Sequence, residues 1–262
     1  MSDATDAPRP TPYQLIFGPD VFDGSRFEAI REQADAQHAH TPDLLFMLPA
    51  AGELLRELAP PEGGRESVAQ VRALLFGAYR YWRHGRHVYR MSGPLLRELL
   101  APGHEPTASP RPPAPAGYVH LPRNVVWARV SEDAAPEPVD GFFWSVPSRD
   151  EAHEDAQAAS AGRLDLLFAL GVRANRPGIS LFDVALDATA QLEEWATVKV
   201  RPEGDDFANV LPGGELQDYR AITTRAEALK LAALCFARIA DPAWSWPGVE
   251  EAEETVHSPA DG

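Results

Sequence analysis

Fifteen residues in the middle of the chain, Pro102 to Ala116 (PGHEPTASPRPPAPA), include six prolines. Proline holds φ near about −65° and has no amide hydrogen, so neither a helix nor a central strand is expected to run through this stretch. The composition favours extended polyproline and predicts a linker. The hydrophobic period differs on its two sides.

Upstream the spacing is mostly helical. Ser25 and Glu28 form a capping-box pair, followed by Phe27, Ile30 and Ala34 at helical intervals. Thr41-Pro42-Asp43 starts a second helical region that Pro49 must interrupt, and Leu54, Leu55 and Leu58 resume it. A third helix is predicted over residues 65–84, with Val68, Val71, Leu75, Ala78, Tyr79 and Trp82 on one side. His87–Met91 reads as a short strand, and Ser92-Gly93-Pro94 opens a short helix.

Downstream the period shifts toward strands. Tyr118–Leu121, Val125–Val130 and Gly141–Val146 are β-branched and aromatic. Leu164–Arg173 and Ile179–Leu186 flank a turn at Asn175-Arg176-Pro177-Gly178 and predict a hairpin, and Thr197–Val200 alternates. Thr224 and Glu227 open a helix to about residue 240 that is apolar nearly all round, so it should pack centrally on a sheet. Residues 247–262 are acidic with few large apolar groups, the composition of a disordered tail. The chain therefore reads as α+β: a helical part over 13–101, a Pro-rich linker over 102–116, an antiparallel sheet packed with a C-terminal helix over 117–246, and the acidic tail over 247–262.

Charge narrows the function classes. The net charge is −15, from 24 basic and 39 acidic residues. Residues 1–100 carry 11 basic and 13 acidic groups (−2), leaving 13 basic and 26 acidic groups (−13) for residues 101–262. Such an acidic half repels phosphate backbones and disfavours general nucleic-acid binding. The single cysteine, Cys235, excludes an internal disulfide and a Cys-based zinc site. The first residues, MSDATDAPRPTP, lack a basic segment before an apolar run, and no apolar stretch approaches the roughly 18 residues that span a bilayer. A cytoplasmic location without membrane contact is expected.

The densest local feature is YRYWRHGRHVYR at residues 79–90. Residues 65–97 hold seven arginines and one acid, Glu66. On the predicted third helix Arg65, Arg72 and Arg83 fall within about 20° of one line and Arg80 about 60° away. Together with Tyr79, Arg86, His87 and Arg90 they are the candidate anion- or partner-binding residues, because guanidinium groups beside aromatic rings grip phosphate or carboxylate and stack on bases. The competing expectation is that the arginines pair internally with the acidic half, which the charge balance favours. Since 22 of the 24 basic residues are Arg, an individual arginine is weak evidence of a required guanidinium.

Other candidates are weaker. Asp150, His153 and Glu154 have metal-ligand spacing but sit in a solvated acidic run. In the predicted hairpin Asp165 would face Asp187, a repulsive pair that an acid/base dyad or a cation would explain. PVDGFFW at 138–144 and NVLPGG at 209–214 read as turns, without a nucleotide-loop context, and there is no nucleophile elbow or zinc helix motif. No metal or cofactor is expected. These residues predict a non-catalytic accessory protein with a protein partner. The alternative is a nucleic-acid or anionic-ligand module using the Arg/aromatic stripe, and the third reading is an enzyme with an unfamiliar acid/base site.

Overall fold

A computed structural model describes residues 77–101, 110–122, 125–128, 137–146, 163–170, 182–187, 220–222, 225–251 and 254–259, with single positions at 28, 29, 32, 36, 104 and 108. Glu28, Ala29, Glu32 and Ala36 are helical and exposed.

Helix α1 is described over residues 77–83 and ends in a Schellman motif. The Gly85 amide donates to the Trp82 carbonyl and the Arg86 amide to the Tyr81 carbonyl, at 3.3 and 3.0 Å. Gly85 supplies the left-handed conformation this cap needs, with φ of 90°, and Arg86 follows at φ of 52°. The reversal delivers the chain into strand β1, His87–Arg90. Helix α2, Gly93–Leu99, begins where predicted: the Ser92 hydroxyl accepts from the Leu95 amide at 3.3 Å and Pro94 occupies the first turn.

Strands β2 (Ala116–His120), β3 (Val126–Ala128), β4 (Glu137–Ser145), β5 (Arg163–Leu170), β6 (Phe182–Asp187), β7 (Arg220–Ile222), β8 (Gly248–Glu251) and β9 (Glu254–His257) complete the described sheet. Its order is β6-β5-β4-β2-β1-β9-β8, with β3 joined to β4 and to β7. The predicted strands at 118–121, 125–130, 141–146 and 164–173 correspond to β2, β3, β4 and β5 with shifted ends.

Three expectations are corrected. The sheet is mixed, not antiparallel: β1 runs parallel to β2 and to β9, and β3 parallel to β7. A parallel neighbour requires a crossover, which the chain between β1 and β2 supplies. The end of the predicted linker is accordingly part of the sheet's framework. Pro110 and Ala116 are buried, the Ala114 carbonyl accepts from Trp144 Nε1 at 2.9 Å, and the Pro115 carbonyl accepts from the Val146 amide at 2.7 Å. Proline cannot donate, but its carbonyl and the carbonyls around it can accept. Finally, residues 248–251 and 254–257 of the predicted disordered tail form β8 and β9. Backbone pairing to β1 is indifferent to the acidic composition that suggested disorder.

Both faces of the sheet are covered. On one face Phe236 of helix α3, Arg225–Ala240, meets Phe142 and Trp144 edge-on at 5.8 and 5.5 Å, while Phe142 packs on Phe168. Residues 229–237 of α3 are buried throughout, as its all-round apolar sequence predicts. On the opposite face Tyr81 of α1 contacts Phe143, which lies against Tyr118.

Two glycines make these layers possible. Gly117 faces Trp144 across the β2–β4 ladder, and a Cβ there would overlap the indole ring. Gly141, at φ of 156° beside a register irregularity in the β4–β5 ladder, would clash with the Val119 carbonyl and the Tyr118 hydroxyl. That hydroxyl donates to the Asp140 carbonyl at 2.9 Å. Gly117→Ala and Gly141→Ala should each lower unfolding stability by about 2–3 kcal/mol, measured by urea denaturation. Around the α1 cap, Gly85→Ala should cost about 1–2 kcal/mol, whereas Arg86→Gly should stay within about 1 kcal/mol of the parent because it relieves a left-handed non-glycine residue.

Candidate functional site

Among the described residues, the members of the predicted Arg/aromatic stripe occupy different places in the fold. Arg65 and Arg72 lie outside the described residues. Tyr79 is only 1% exposed and belongs to the core, beside Trp82 with ring centroids 5.8 Å apart. Arg80 turns onto the end of β4, where its Nη1 donates to the Ser145 hydroxyl at 3.3 Å. Arg83 is exposed on the last turn of α1. Arg86 serves the helix cap, its carbonyl accepting from the Tyr81 hydroxyl at 3.2 Å. Strand alternation then divides the rest: His87 and Tyr89 point to the face that carries α3, Val88 and Arg90 to the face that carries α1. The helical wheel is informative within α1 and loses its meaning at Gly85, where the period changes from 3.6 to 2.

The densest polar and aromatic cluster lies instead where β1 meets β9. His87 Nδ1 and His257 Nε2 are 3.1 Å apart, and His257 Nδ1 is 3.1 Å from the Trp246 carbonyl. The His257 ring stacks on Tyr89 at 4.4 Å and 14°, because these two residues are register partners in the parallel ladder. Trp246 and Trp144 close the other sides of Tyr89 at 6.0 and 5.9 Å. Burial pushes the Tyr89 phenol above its usual range, so it is a neutral neighbour. His87 stands out in the sequence; His257 does not, because its segment reads as tail. Only the β1–β9 pairing brings the two imidazoles together across 170 positions.

A second cluster joins α2 to α3. Arg238, 6% exposed, donates from Nη2 to Glu98 at 2.6 Å and lies 4.6 Å over the Trp244 ring. Glu98 is 57% exposed, so this pair holds two helices together in contact with solvent. His104 is held below the ordinary histidine range by partial burial first and by Arg238 next, with Glu98 opposing and Lys230 adding. The Arg238–Glu98 pair links the two halves of the chain and involves an arginine outside the predicted stripe.

The remaining candidates separate in space. The hairpin forms, but its register is offset by two residues from the prediction: Arg163 faces Asp187, and Asp165 faces Ala185. The Asp165–Asp187 repulsion that motivates a dyad is replaced by an opposite-charge register pair. Asp150, His153 and Glu154 lie outside the described residues, and the described residues contain no group of three or more metal-ligating side chains. Cys235 is fully buried in α3, and burial pushes its thiol far above the normal range. Among the described residues no helix is long and apolar enough to cross a membrane.

No protein-family profile and no curated protein matches the chain. Among solved structures, the crystal structure of AcrVA2 is similar at a TM-score of 0.44 and 10% identity, covering 94% of this chain and 81% of that one. For Cys235 the expectation is direct: a thiol reagent at neutral pH should leave the folded protein unlabelled and modify it only when denaturant is added.

Proposed function

We propose that this chain is a non-catalytic protein-interaction module whose partner is basic. The observation that carries the reading is the use made of the described polar side chains. Arg80 holds β4, Arg238 holds α2, His87 and His257 hold β9 on β1, and the Cys235 thiol is enclosed in the core. Each of the polar contacts joins segments far apart in sequence. A catalytic constellation would place such groups toward a substrate-sized opening with protonation states matched to their task.

The partner chemistry follows from charge and topology. The described sheet ends on β8, Gly-Val-Glu-Glu, and the sequence continues through Glu253 to Glu254 at the start of β9. A strand at a sheet's end offers backbone hydrogen-bonding groups, and an acidic sequence there discourages self-pairing while attracting basic segments. With a net charge of −15, association should be fast and salt-sensitive.

The test is purification of the native protein at low salt followed by native mass measurement. A stoichiometric protein partner should be present, resist nuclease, and dissociate as salt rises. The Glu250→Lys, Glu251→Lys double variant should lose that partner with its melting temperature within a few degrees of the parent. Nucleic acid in place of protein, lost on Arg83→Glu or Arg90→Glu substitution, would replace this reading with the anionic-ligand one. Turnover traced to residues 163–187 would replace both.

A further inference from the structure

The surroundings of His257 fix its tautomer. The Trp246 carbonyl can only accept, so His257 Nδ1, 3.1 Å away, carries a hydrogen, and Nε2 of the neutral ring is a lone pair. That nitrogen lies 3.1 Å from His87 Nδ1. A backbone carbonyl that takes one imidazole N–H and leaves the other nitrogen bare is the support that metal-bound histidines use. Stacking on Tyr89, with ring centroids 4.4 Å apart, also holds the His257 ring. His87 is braced on its far side, where its Nε2 lies beside Gly85 of the α1 cap; a Cβ on Gly85 would stand 3.2 Å from that nitrogen. His87 has a further interaction besides its bond to His257, and its Nδ1 is the atom at the seam.

We propose that His87 and His257 are two ligands of a divalent transition ion, zinc or one of similar softness, that pins the β8–β9 hairpin to β1. Two nitrogens each about 2.05 Å from one such ion are about 2.9 Å apart at a right angle and about 3.3 Å apart at the tetrahedral angle. The 3.1 Å separation lies between these values, so small ring rotations let both imidazoles reach one ion. The ion takes the lone pair of His257 Nε2 and that of His87 Nδ1, whose hydrogen moves to His87 Nε2. Neutral rings therefore release no net proton. Imidazole donors select zinc, copper or nickel over magnesium and calcium.

The charge around the seam suits a cation. Glu250 is the register partner of Thr255, and Thr255 of His87, so a glutamate occupies the imidazoles' own face, one row along from His257. A carboxylate beside two histidines is a common completion of such a ligand set. Arg90 points to the other face of the sheet. Both imidazoles are half-buried, which leaves solvent access for the remaining coordination positions. An ion held here joins segments 170 positions apart, and the inference does not rest on the identity of any partner.

Zinc titration of the full chain, first stripped with a chelator, tests the assignment. At about pH 7.5 calorimetry should show one saturable site, and at about pH 5.5 its affinity should fall about tenfold or more, because protonated imidazoles cannot ligate. Zinc should raise amide protection at Val256 and His257 about tenfold or more while Leu231–Phe236 in α3 stay within about twofold. His87→Asn and His257→Gln should each weaken the site about tenfold or more, whereas His84→Ala, on an exposed residue, and His153→Ala should leave it within about twofold. Nitrogen NMR of the parent does not depend on how the variants fold: zinc should shift His87 Nδ1 and His257 Nε2 and leave the other six of the eight histidines unchanged. Absence of a saturable site in the parent would overturn the assignment. So would shifts at other histidines in place of these two, or an affinity unchanged in both seam variants.

Discussion

Strand β1 has four residues and two parallel neighbours, β2 and β9. The other described features follow from that placement. Neither neighbour can be reached by a tight turn, because parallel pairing brings the chain back to the same end of the sheet. The chain meets β2 after α2 and the proline-rich crossover, and meets β9 only in its last residues. A short strand flanked in this way has its backbone groups used on both sides, so it is central despite its length.

The layers above and below the sheet are organised around aromatic rings whose positions depend on missing side chains. Trp144 lies across Gly117, and Tyr118 reaches the Asp140 carbonyl past Gly141. These contacts place Trp144 against Phe236 of α3 and against Tyr89 of β1, so one indole joins the helix layer to the central strand. The same arrangement presents Tyr89 to His257. Packing on the apolar face and the polar seam at β9 are therefore coupled through one residue.

The polar groups have a consistent role. Ser145 anchors Arg80, Glu98 anchors Arg238, and His257 bridges His87 and the Trp246 carbonyl. The contacts of Arg80, Arg238 and His87 all span long stretches of sequence, tying together a chain whose crossover is rich in proline and whose acidic half repels itself. Among the described residues, His87 and Arg90, neighbours in the predicted binding segment, fall on opposite faces of the sheet.

Local elements are readable from sequence where their signals are local. The α2 start needs only Ser92 and Pro94, the α3 helix needs only its apolar run to Ala240, and strands β2, β4 and β5 show their β-branched and aromatic content. The pairing of β5 with β6 is readable in kind but not in register, since alternation fixes which residues share a face and a shift of two positions leaves that alternation unchanged. Tertiary structure alone decided the parallel pairings, the structural role of residues 110–116, and the strands at 248–251 and 254–257. Each depends on backbone hydrogen bonds, which any composition can make, between segments far apart in the chain. The imidazole seam is of the same kind: His87 and His257 carry no spacing signal, and only the pairing of β9 with β1 gives the two rings a shared hydrogen bond.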